Sequence, residues 1–92
     1  MGNEFIMTAI NELREGESRG LNATELGKIA KATLGPAFGP VSFVAVFRGA
    51  FGIPLDVLQR AHAWQGFNFG GNMISDKEFE DLLSEWLPGS HP

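Results

Sequence analysis

The chain holds two histidines, His62 and His91, and no cysteine. His62 stands between Ala61 and Ala63, with no carboxylate three or four residues away. A metal site would need a second ligand, and a general base would need a group to orient it; neither shares a helical face with this imidazole. A lone titratable side chain is far more often an ordinary packed or surface residue than a catalyst, and His91 falls in the C-terminal tail. The missing cysteines remove thiolate zinc sites and disulfide staples. No glycine-rich phosphate loop follows a strand, and neither Gly-x-Ser-x-Gly nor His-Glu-x-x-His occurs. The sequence therefore predicts a non-enzyme with no catalytic residue, no cofactor and no metal, acting by binding.

Carboxylates offer the next chemistry. Glu78, Glu80, Asp81 and Glu85 crowd one stretch and Glu12, Glu15 and Glu17 another, within a net charge of −4. Such runs usually form a solvated polar face; their other use is to meet a basic partner protein. The same balance opposes general nucleic-acid binding, which needs a basic surface against phosphate. One nucleic-acid reading stands as the alternative. Residues 25–31, a turn, and residues 42–49 loosely resemble a helix-turn-helix, whose second helix would enter the major groove. That helix would read Val-Ser-Phe-Val-Ala-Val-Phe-Arg, with almost nothing to meet a base edge.

Residues 64–73, Trp-Gln-Gly-Phe-Asn-Phe-Gly-Gly-Asn-Met, set three aromatic side chains in a segment too rich in Gly and Asn to stay regular for long. Trp64, Phe67, Phe69 and Met73 either fold back to cap the core or form a pocket for a partner's peptide or helix, as aromatic and Met-rich surfaces do. They are candidate partner-binding residues.

Helices must carry any such surface. Between Val41 and Ile53 only Ser42 and Arg48 must seek water, so the rest of the chain or a partner has to cover this element. A bilayer span needs roughly 20 apolar residues, and this run is shorter, charged at Arg48 and broken by Gly and Pro. Val41, Phe43, Ala45 and Phe47 alternate as in a strand, while Phe43, Val44, Phe47, Ala50 and Phe51 share a helical face. Pro40 at the start, with Gly49 and Gly52 near the end, favours a helix over residues 40–51.

The flanking periodicities predict further helices. One covers residues 4–15, with Phe5, Ile6, Ala9, Ile10 and Leu13 as its apolar stripe. Another covers 21–34, opened by Asn22 and stopped by Gly35 and Pro36. A helix from Ile53 to about Gln65 carries Leu55, Val57, Leu58, Ala61 and Trp64, and one over 75–87 carries Phe79, Leu82, Leu83 and Trp86. The expected fold is all-α: a single domain over residues 1–92 of about five helices, arranged as two helix-loop-helix halves around a central apolar helix, with residues 88–92 a disordered tail.

The two halves share a pattern. Leu21, Asn22, Glu25 and Leu26 lie over Ile74, Ser75, Glu78 and Phe79, 53 positions on (78 − 25). Each set reads as a capping box with a hydrophobic staple. Each is preceded by a helix and a Gly-containing loop, and the pair resembles two EF-hands whose calcium loops have degenerated. The resemblance covers roughly residues 5–34 and 55–87. It implies paired halves that do not bind calcium. The first, third and fifth ligand positions would fall on Arg14, Gly16 and Ser18 in one loop and on Phe67, Phe69 and Gly71 in the other. The loop glycine would be Arg19 or Asn72, leaving only the closing Glu25 and Glu78.

If the central helix is covered on one side only, its face of Val46, Ala50 and Ile53 stays apolar and open. Identical faces of this kind pair most simply as a symmetric dimer. The expectation is a homodimer with Val46 at its contact. The N-terminal Met-Gly-Asn-Glu-Phe-Ile-Met has an early acid and no basic n-region, so it does not read as a signal peptide. Ile6 stands where a myristoylation signal wants Ser or Thr. A cytoplasmic location is expected.

Overall fold

In the computed structural model the described residues are 2–67 and 73–87, the side chains of residues 2, 3 and 5 excepted. Phe69, His91, the expected tail 88–92 and the place of Phe5 in the first apolar stripe lie outside them. Among the described residues are five α-helices: α1 (Gly2–Ser18), α2 (Ala23–Leu34), α3 (Pro40–Phe51), α4 (Leu55–Ala61) and α5 (Asp76–Leu83). Short 3-10 turns follow α2 at Gly35–Ala37 and α5 at Ser84–Trp86. There is no strand among these residues, only a parallel bridge between Trp64 and Ile74.

The helix starts follow local chemistry. Asn22 Oδ1 accepts from the Glu25 N–H at 3.0 Å while Glu25 Oε1 accepts from the Asn22 N–H at 3.1 Å. Ser75 and Glu78 make the same reciprocal exchange, both at 3.2 Å. Pro40 is the first residue of α3, where its missing N–H costs nothing. The Ser42 hydroxyl accepts from the Gly39 N–H at 2.7 Å, and Gly52, at φ +67°, closes the helix. Residues 41–47 are helical; their strand-like alternation has no neighbouring strand to pair with.

The helix ends depart from expectation. α1 continues past Glu15 to Ser18 because α2 crosses it at Gly16, where a Cβ would lie 3.0 Å from both Leu21 Cδ1 and Leu26 Cδ2. Packing keeps in the helix a residue that would otherwise weaken it. Gly20, at φ +89°, then ends α1. The Leu21 N–H reaches Gly16 O at 3.1 Å and the Gly20 N–H reaches Glu17 O at 2.9 Å, the paired bonds of a Schellman motif. α4 stops at Ala61, short of Gln65, because the backbone turns to pair with Ile74: Gln65 N–H to Ile74 O at 3.0 Å, and Ile74 N–H to Ala63 O at 2.9 Å.

α1 packs on α2 and α3, α3 on α4, α4 on α5, and α5 back on α2, closing a ring around one core. Phe43 and Phe47 from α3 and Phe79 from α5 are its largest fully buried side chains. The Phe43 ring lies 4.8 Å from both Phe47 and Phe67, and Trp64 stacks on Phe79 at 4.4 Å with planes 13° apart. Among the described residues no polar side chain is fully buried. Burial of aromatic and aliphatic surface thus carries the fold.

Candidate partner-binding surface

Of the residues expected at a partner contact, three are core. Val46 is fully buried, since it shares the inward face of α3 with Phe43 and Phe47; Ile53 is buried with it and Ala50 half-buried. The open face expected at Val46, Ala50 and Ile53 is therefore corrected: the monomer covers it. Trp64 and Phe67 are also buried, closing the core between α3 and α5. Among the described residues of that set only Met73, 50 % exposed, remains at the surface. Leu55, expected to face inward, is 44 % exposed, because in a helix as short as α4 it is Leu58 and Ala61 that reach the core.

The open face of α3 lies on its opposite side. Val41 is 83 % exposed, and Pro40 and Ala45 beside it are exposed too. Two grooves flank this ridge. One runs between α3 and α4 and is lined by Pro40, Val41, Val44, Leu55, Gln59 and His62. The other lies toward α1, where Ile6, Ala37 and Ala45 meet Pro40, Val41 and Ser42. No Asp, Glu, Lys or Arg side chain lines either groove. Arg48, two turns along from Val41, is the first charge on the outward face of α3.

Three of the carboxylates that might have met a basic partner, Glu78, Glu80 and Asp81, are engaged within the molecule. Glu80 reaches from α5 to the start of α2, accepting from the Ala23 N–H at 3.0 Å and the Thr24 N–H at 2.8 Å. These are two of the donors that every helix start leaves without a backbone partner, and the carboxylate also meets the positive end of the helix dipole. Glu78 is held in its capping box, and Asp81 pairs with Lys77 at 2.7 Å on the surface. Asp76 Oδ1 accepts from the Trp64 indole N–H at 2.7 Å and from the Gln65 amide at 3.4 Å. The Trp64 bond, then the Gln65 bond, hold the Asp76 carboxyl below its usual range, with Lys28 adding a smaller pull in the same direction.

Arg14, Gly16 and Ser18, placed at the ligand positions of the first loop by the EF-hand resemblance, all belong to α1. The Arg14 guanidinium donates to Gly49 O at 3.1 Å and Ala50 O at 3.3 Å, covering carbonyls at the end of α3. Ser42, the polar residue of the helix-turn-helix reading, spends its hydroxyl on Gly39 and Ala37. The outward face of α3 thus offers a base edge or phosphate little beyond Arg48. Among the described residues no three His, Asp or Glu side chains converge, and no helix is long and apolar enough to cross a membrane. Comparison of the chain with family models, curated proteins and solved structures gave no match.

Proposed function

We propose that this is a small acidic protein–protein interaction module, an adaptor, assembly factor or toxin-neutralising immunity protein. On this reading it acts in the cytoplasm by binding rather than catalysis. It takes an aliphatic segment of a partner protein against the outward face of α3. One observation carries the reading: a valine 83 % exposed stands between two grooves that no Asp, Glu, Lys or Arg side chain lines. A charge buried there would lack a counter-charge and cost several kcal/mol, so the anchoring side chains must be uncharged. The degenerate EF-hand-like pairing of α1–α2 with α4–α5 belongs to the same proposal, as a scaffold that presents α3 without calcium.

The test is capture of partner from the native host by immobilised wild type, Val41→Glu and Glu12→Gln. Because Val41 is exposed, its substitution should leave the melting temperature unchanged, and capture should fall at least tenfold, the equivalent of about 1.4 kcal/mol. Glu12→Gln should capture as wild type does. Equal capture by all three proteins would refute the assignment of this face.

The paired grooves also favour a second occupant, another copy of the chain, since a ridge beside a hollow is what a two-fold contact requires. Light scattering across a concentration series tests it. A wild-type dimer that Val41→Glu splits would support self-pairing here, and a wild type that stays monomeric at millimolar concentration would exclude it.

A further inference from the structure

We draw no further inference here: the strongest candidate, the groove between α4 and α5 lined by Arg60, Ile74, Glu78, Asp81 and Leu82, carries nothing because Glu78 and Asp81 are already engaged with Ser75 and Lys77 and nothing in the structure shows what covers it.

Discussion

Removal of the Glu80 carboxylate should reveal how much of the ring is closed by a single polar contact. Glu80 sits half-buried on α5, and its two oxygens take the first two N–H groups of α2, 57 and 56 residues away in sequence. A hydrogen bond to a charged group contributes roughly 1.5–3 kcal/mol when dry. Partial exposure lets water replace some of that, so Glu80→Ala should cost about 2 kcal/mol in all. For a domain of this size that is a fall in melting temperature of roughly 8–16 °C. Phe79 and Leu83 are fully buried, and each contributes about 1.5–3 kcal/mol on its own account, so α5 should stay docked. The denaturant slope should accordingly match that of wild type. Glu80→Gln should be nearly as costly, because its NH2 group would face one of the two N–H donors. Urea titrations followed by circular dichroism would measure all three proteins beside Glu12→Ala, an exposed acid on α1 expected to shift stability by less than about 0.5 kcal/mol. If Glu80→Ala is no more destabilising than Glu12→Ala, the contact contributes nothing and the argument fails.

Phe47→Ala should cost about 3–5 kcal/mol, the range for truncating a fully buried Phe, and leave the domain close to unfolding at 37 °C; an unchanged urea midpoint would contradict its place in the core. Asp76 gives a pH dependence of fixed sign. Its folded value lies below the ordinary 3.8, so its contribution is complete above that value and is lost as pH falls through the lower, folded one. Tryptophan emission titrated from pH 5 to about pH 2 should change in wild type, and the component due to Trp64 should be missing in Asp76→Asn. Calorimetric titration with calcium should give no binding heat, since Arg14, Gly16, Ser18 and Phe67 supply no carboxylate oxygen; micromolar affinity would overturn the reading of the loops.

What could be read from the sequence was local. Asn22 with Glu25 and Ser75 with Glu78 announce helix starts because cap and acceptor lie within one turn, and Pro40 marks α3 for the same reason. Glu80 could not be recognised. It stands in a run of acids, and its partners are the Ala23 and Thr24 backbone groups on the far side of the chain. The extent of α1 was hidden likewise, because Gly16 breaks a helix unless another helix packs on it. The open face of α3 was readable from helical geometry. At about 100° per residue, Val46 lies about 60° and Ala50 about 20° from Phe43, whereas Val41 lies about 160° away. Val46 follows Phe43 by three and precedes Ala50 by four, so spacing and angle alike put it with the phenylalanines, while Val41 turns outward.

On the proposed reading, that geometry would let α3 serve the fold and a partner independently. Phe43, Val46 and Phe47 lie inside the ring, while Val41 and Ala45 occupy the opposite arc. An exposed valine contributes almost nothing to the monomer's stability, because folding removes little of its surface from water. A polar residue at position 41 would therefore satisfy the fold as well as valine does. Scattered surface valines are ordinary, but this one is flanked by Pro40, Val44 and Leu55, with no Asp, Glu, Lys or Arg side chain lining the hollows on either side. Binding of an aliphatic segment gives those side chains a common use that folding does not. The fold tolerates an apolar outward arc on α3, and the proposed binding would make use of it.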